Sequence, residues 1–159
     1  MKKLIIAVLL SVMQLTAFAQ LPSVTVEDIN GNRVNTKSIA DGKTPAVILF
    51  WAVTCKPCIQ ELDAINEALD EWKDVADFRV IAISTDDTRF LAKAKALTEG
   101  HGWDGFTLLF DKNSDFKRGM NVVHTPQAFI VGPDGKIVYS HTGYNPGSEE
   151  KLLEELKKF

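Results

Sequence analysis

The chain has 159 residues, with 18 lysines and arginines against 21 acidic residues and a net charge of −3. This acidic balance argues against a protein that binds nucleic acid or an anionic membrane surface. The sequence contains no internal repeat and no low-complexity segment, so the length predicts one ordinary domain with a hydrophobic core.

Residues 1–19 have the pattern of an export signal. A pair of lysines precedes an apolar run, and residues 17–19 read Ala-Phe-Ala, a typical cleavage site. We expect cleavage after Ala19, which leaves a domain of residues 20–159 in the periplasm or cell envelope with a net charge of about −5. The alternative is a retained anchor, but a spanning helix needs about 20 predominantly apolar residues and this run is shorter.

Strand and helix patterns alternate through the domain. In chain order they predict a strand at 24–26, a short helix or loop at 36–41, a strand at 46–51, a helix at 59–72, a strand at 78–83, a helix at 90–97, a strand at 106–110, a helix at 114–120, a hairpin of strands at 127–131 and 136–141, and a helix at 148–159. Residues 84–87 offer caps for the second long helix, and Ser148 offers one for the last.

The pattern of apolar residues indicates an α/β fold. Residues 46–51 are apolar throughout, as expected for a central strand that is buried on both faces. Apolar residues recur every three or four positions along residues 59–72, which gives that helix one buried face. Strands that alternate with helices and end in a hairpin predict a central mixed sheet with helices on both faces.

Cys55 and Cys58 are the only cysteines, and they lie between the strand at 46–51 and the following helix. Two thiols at this spacing can close and reopen a short disulfide, which indicates thiol-disulfide exchange. A structural bridge is the alternative, but so short a ring constrains the unfolded chain little. Open α/β sheets place their sites at such carboxyl ends of strands.

Three motifs surround this pair: Phe50-Trp51-Ala52 before it, Thr125-Pro126 before a later strand, and Gly132-Pro133-Asp134-Gly135 in the hairpin turn. Together with the Cys-x-Pro-Cys motif they resemble the thioredoxin superfamily, and most closely its TlpA/ResA-like branch of exported thiol-disulfide oxidoreductases. The resemblance implies a thioredoxin-like three-layer α/β/α fold with a central mixed β-sheet and an inserted helix at residues 87–99.

The two cysteines are expected to have different roles. Cys55 at the helix N-terminus is the predicted nucleophile, because the helix dipole and the neighbouring Lys56 favour a thiolate there. Cys58, one turn into the helix and more buried, is the predicted resolving thiol. Pro57 fits the first helical turn, where its missing N–H costs little, and it stiffens the motif.

Glu61 is the predicted partner of the resolving thiol. The resemblance implies that this acid helps to move the proton of Cys58, and a partly buried carboxylate with a raised pKa can do so near neutral pH. An exposed helical glutamate is the alternative, because the periodicity places Leu62 on the buried face. Thioredoxins proper carry a buried acid where this chain has Leu49, and most relatives carry a bulky residue in place of Thr54.

The remaining predicted site residues are expected to contact substrate. Thr125 and Pro126 resemble the cis-proline loop of the family, whose backbone can pair with an extended peptide; a trans bond that opens an edge strand is the alternative. Trp51 is expected to border the disulfide and supply apolar contact area, with core packing as the alternative. His124 is interpreted as a surface histidine.

The predicted function is reduction of protein disulfides outside the cytoplasm. Protein dithiols or disulfides are then the substrates, and a membrane redox partner supplies electrons. We predict no cofactor, no metal and a monomeric protein. The alternatives are a Cu(I)-binding module, since Cu(I) prefers soft thiolate ligands, a binding domain without activity, and a peroxiredoxin-like peroxidase, which is disfavoured because Ala52 stands where peroxiredoxins need threonine.

Overall fold

The structure, a computed structural model, describes residues 19–159. The predicted export signal therefore lies outside the described residues, apart from Ala19. None of the helices within residues 19–159 has the length and apolar character that a membrane span requires.

Residues 19–159 contain seven strands, four α-helices and one short 3₁₀ helix. The strands are β1 (Thr25–Asp28), β2 (Arg33–Asn35), β3 (Ala46–Trp51), β4 (Arg79–Ser84), β5 (Thr107–Phe110), β6 (Gln127–Val131) and β7 (Ile137–Thr142). The helices are α1 (Lys56–Lys73), α2 (Leu91–Gly100), α3 (Asp115–Gly119) and α4 (Glu150–Leu156), and the 3₁₀ helix is Thr36–Ile39.

The strands form one mixed sheet in the order β2-β1-β5-β4-β3-β6-β7. The pairs β3–β4 and β4–β5 are parallel, and the other pairs are antiparallel. The predicted mixed sheet is therefore confirmed. The edge strand β2 was not predicted, because Arg33-Val34-Asn35 contains a single apolar residue and too little alternation to indicate a strand.

Residues of β3 point alternately into two hydrophobic clusters. Val47 and Leu49 belong to the cluster that apolar residues of α1 and α4 complete. Ile48 and Phe50 belong to the cluster that Phe116 of α3 completes. The continuous apolar run of β3 is thus explained by burial on both faces, and helices cover both sides of the sheet.

The predicted helix caps are wrong. The N-cap of α2 is Phe90, so residues 84–87 end well before the helix. The N-cap of α4 is Glu149, which makes no side-chain capping bond, and the hydroxyl of Ser148 instead accepts a hydrogen bond from the backbone N–H of Asn145 at 3.3 Å. Polar residues before a helix pattern can form turns as well as caps, and here they form turns.

Candidate active site

A disulfide joins Cys55 and Cys58 at the start of α1, with 5.3 Å between their Cα atoms. Cys58 is buried, with 1% of its surface exposed, whereas Cys55 is half-buried. The structure thus shows the oxidised form of the pair. A partner molecule reaches Cys55 more easily than Cys58.

The helix N-terminus creates a positive environment at Cys55. Cys55 is the N-cap of α1, and its carbonyl accepts hydrogen bonds from the N–H groups of Cys58 and Ile59 at 3.1 and 3.2 Å. The first turn contains no acidic residue, and Pro57 lies within it. Because no acidic residue of the first turn offsets the positive end of the helix dipole, this position favours a thiolate when the disulfide is reduced.

The loop before β6 reaches the edge of the sheet where the cysteines lie. Gln127 at the start of β6 pairs with Phe50 in β3, so Pro126 comes level with Trp51, the last residue of β3. The peptide bond between Thr125 and Pro126 is cis. The sheet register therefore brings the Thr-Pro loop and the segment that leads to the disulfide to the same edge.

A buried carboxylate anchors the loop between β3 and α1. Asp86 Oδ2 accepts hydrogen bonds from the backbone N–H of Val53 at 3.0 Å and from the hydroxyl of Ser84 at 2.9 Å. A buried N–H without a partner costs about 1–3 kcal/mol, so this contact helps to fix the approach to Cys55. Sequence analysis missed the role of Asp86, because its partner Val53 is 33 positions away.

Glu61 is fully buried one turn after Cys58, with 0% of its surface exposed. Its Oε1 is 2.8 Å from Nε2 of His141 in β7, while its Oε2 has no hydrogen-bond partner within residues 19–159. Burial raises the pKa of Glu61, and the hydrogen bond and the charge of His141 act in the opposite direction. The alternative of an exposed helical glutamate is therefore wrong.

Comparison with known proteins identifies the family. Residues 18–140 match the sequence profile of the AhpC/TSA family. The chain belongs to the AhpC/TSA family. A thiol-disulfide oxidoreductase ResA from Bacillus thuringiensis subsp. konkukian is 29% identical over 141 residues, which are 87% of this chain and 76% of that protein.

Two solved structures share the fold of this AhpC/TSA-family chain. A thioredoxin-like protein from Porphyromonas gingivalis is 43% identical with a TM-score of 0.77, covering 89% of this chain and 92% of that one. A protein described as a DsbE thiol:disulfide interchange protein from Chlorobium tepidum is 25% identical with a TM-score of 0.74, covering 87% and 93%. The thioredoxin-like fold is confirmed, and the protein is a disulfide oxidoreductase.

Trp51 does not fit its predicted contact with substrate. Only 1% of its surface is exposed, and its ring packs edge-on against Trp103 with 5.2 Å between ring centroids. It shares a hydrophobic cluster with Cys58. In this AhpC/TSA-family chain Trp51 is a core residue, because the strand end that carries it is covered by the layer that contains α1.

His141 is a second residue near the disulfide motif whose role could not be predicted from the sequence. Of the histidines, only His124, which directly precedes the Thr125-Pro126 motif, was interpreted from the sequence, and it is exposed as expected. Residues Ile137, Tyr139 and His141 are the more buried alternate positions of β7. Applying the two-residue alternation of a strand to this hairpin would have placed His141 on the inner side.

Proposed function

We propose that this protein is an exported thiol-disulfide oxidoreductase that reduces protein disulfides through Cys55 and Cys58. One observation carries the proposal: the disulfide spans the start of α1, with the half-buried Cys55 at the N-cap and the buried Cys58 in the first turn. Such a pair provides an accessible attacking thiol and a protected resolving thiol.

The proposed reaction has two exchange steps. The Cys55 thiolate attacks a substrate disulfide, a mixed disulfide forms, and the first substrate thiolate leaves and takes a proton from water. Cys58 then loses its proton to Glu61 and attacks the sulfur of Cys55, which releases the second substrate thiolate. That thiolate takes up a proton from solvent, and Glu61 returns the proton of Cys58 to solvent, so that the carboxylate is regenerated. The substrate gains two electrons and two protons, and the Cys55–Cys58 disulfide shown here is the product.

Exposed groups around the pair support a protein substrate. Lys56 and Pro57 are exposed beside the disulfide, and Thr125 is half-buried. Among the described residues, the backbone N–H and carbonyl of Thr125 make no hydrogen bond. Pro126 itself is buried. Free backbone groups next to a strand can pair with an extended peptide, so we assign the Thr125-Pro126 loop to substrate binding through the backbone of Thr125.

The N-terminal sequence supports the proposed location, and that location in turn supports the proposed electron supply. The pattern of residues 1–19 supports export and cleavage, which would leave a monomeric domain of residues 20–159 in the cell envelope. Each turnover leaves the protein oxidised, so an exported reductase needs an electron donor at the membrane. We therefore propose a membrane redox partner that reduces the Cys55–Cys58 disulfide again.

Reduction of insulin tests the proposed function. With dithiothreitol as the electron source, the protein of residues 20–159 is expected to accelerate insulin precipitation at pH 7, whereas Cys55→Ser is expected to show only the rate of dithiothreitol alone. Equal rates for the two proteins would refute the proposal. Faster consumption of hydrogen peroxide than of insulin disulfides would instead support the peroxidase alternative.

A further inference from the structure

The Glu61–His141 pair is buried, and each side chain has one unused polar atom. Glu61 is completely buried, and His141 retains 18% of its side-chain surface. Oε1 of Glu61 and Nε2 of His141 are 2.8 Å apart, while Oε2 of Glu61 and Nδ1 of His141 are buried without a hydrogen-bond partner among the described residues. Buried polar atoms without partners are uncommon and call for an explanation.

We propose that His141 is a positioning residue for the reaction described above. It holds Oε1 of Glu61 through its Nε2–H group, so that Oε2 remains free as the base that takes the proton of Cys58. The inference rests on the proposed exchange chemistry of Cys55 and Cys58, and it adds the residue that orients the base.

The direction of the hydrogen bond follows from the chemistry of the two groups. An ionised carboxylate only accepts hydrogen bonds, so Nε2 of His141 must carry the hydrogen when Glu61 is ionised. Glu61 follows Cys58 by three positions on α1, a spacing that makes the two side chains neighbours on the helix surface. In the disulfide form Cys58 has no proton to donate, which agrees with an unused Oε2.

His141 is the main source of positive polarity around Glu61. Glu149 raises the pKa of Glu61 through its negative charge. The ring of Tyr139 packs edge-on against that of His141, with 5.8 Å between ring centroids. Further charged groups line a cleft of about 600 Å³ between β7 and α4, which His141 also lines. They are Glu150, Lys151 and Glu154, with Tyr144 beside them.

A second histidine–carboxylate pair, formed by Asp63 of α1 and His101 at the end of α2, provides a matched control. Asp63 Oδ1 lies 2.8 Å from His101 Nδ1, at the same distance as in the buried pair, but 35% of the Asp63 side chain and 31% of the His101 side chain are exposed. Asp63 also accepts a hydrogen bond from the indole N–H of Trp103 at 2.9 Å. His101→Gln therefore removes a histidine from a carboxylate of the same helix without touching Glu61.

The test compares His141→Gln, His141→Leu and His101→Gln with the wild-type protein in the reduced state. NMR follows the titration of the Glu61 carboxyl carbon, and quenched-flow measurements follow the release of substrate from the mixed disulfide between pH 5 and 9. Gln keeps a donor near the position of Nε2 but carries no charge. The Glu61 titration is therefore expected to move to higher pH, and the rate of substrate release at pH 6 is expected to fall about tenfold. His141→Leu should produce larger changes and His101→Gln none.

Unchanged Glu61 titration and an unchanged pH profile in His141→Gln and His141→Leu would overturn the inference. If a variant does not fold, the ¹⁵N spectrum of His141 in the reduced wild-type protein decides: hydrogen on Nε2 while Glu61 is ionised supports the inference, and a bare Nε2 overturns it. Failure of the wild-type protein to reduce insulin would refute the proposed function instead, because the Glu61 titration is measured without any substrate.

Discussion

Cys58→Ser is expected to accumulate a stable mixed disulfide between Cys55 and a substrate protein, whereas Cys55→Ser is expected to accumulate none. The half-buried Cys55 can still attack a substrate when Cys58 is absent, but nothing then resolves the product. In Cys55→Ser the remaining thiol is buried, with 1% of its surface exposed. Insulin with its native disulfides intact is incubated with each reduced variant. Mass spectrometry without reductant then measures the mixed-disulfide adduct.

Cys55→Ser is also the matched control, since it removes one sulfur atom from the same motif. We expect the adduct to exceed that of the control by at least tenfold, because the nucleophile left in Cys58→Ser is half-buried and the one left in Cys55→Ser is buried. Equal adduct from the two variants would contradict the assigned roles. Cys58→Ala repeats the experiment without a buried hydroxyl.

Glu61→Gln is expected to slow the second exchange step about 100-fold at pH 7, a magnitude typical for the loss of a general base. Gln fills the same volume and still bonds to His141, but it cannot take the proton of Cys58. The first step, attack by the Cys55 thiolate, should change little. Quenched-flow measurement of mixed-disulfide formation and decay separates the two rates.

The stability of Glu61→Gln distinguishes a chemical effect from a folding defect. Burial raises the pKa of Glu61 in the folded state above its usual value of 4.5, so the folded protein binds this proton more tightly than the unfolded chain. The wild-type protein therefore loses stability as the pH rises from about the unfolded pKa through the folded pKa. Glu61→Gln lacks this loss, and its urea midpoint at pH 7 should equal or exceed that of the wild type.

Glu67→Gln is the control for Glu61→Gln, because it neutralises an exposed glutamate of the same helix. Its exchange rates and its urea midpoint should match those of the wild-type protein. A second step that is slowed equally in both variants would show that net charge, and not the buried carboxylate, controls the rate.

Local patterns predicted the centre of the fold. The apolar run at residues 46–51 gave β3, and the spacing of apolar residues after the cysteines gave α1 with Leu62 and Ile65 in the core. Both signals depend on neighbours along the chain, which is the information that a sequence contains directly. The short edge strand β2 lacked such a signal, because its extended conformation depends on pairing with β1 and not on its own residues.

Site residues whose role depends on distant partners could not be predicted in the same way. Asp86 was interpreted as a helix cap, but it bonds to the backbone of Val53. Glu61 reaches His141, 80 positions away, across the layer between α1 and the edge of the sheet. A helical periodicity of apolar residues cannot indicate such a contact, because a buried carboxylate becomes tolerable only once its partner is in place.

The reduction potential of the Cys55–Cys58 pair tests the redox role of this site most directly. The protein is equilibrated with dithiothreitol buffers of known potential, and alkylation followed by mass spectrometry gives the reduced fraction. For a reductase we predict a value near that of thioredoxin, about −270 mV. A value near that of DsbA, about −120 mV, would contradict the reducing direction, and a value far below about −300 mV would indicate a structural disulfide.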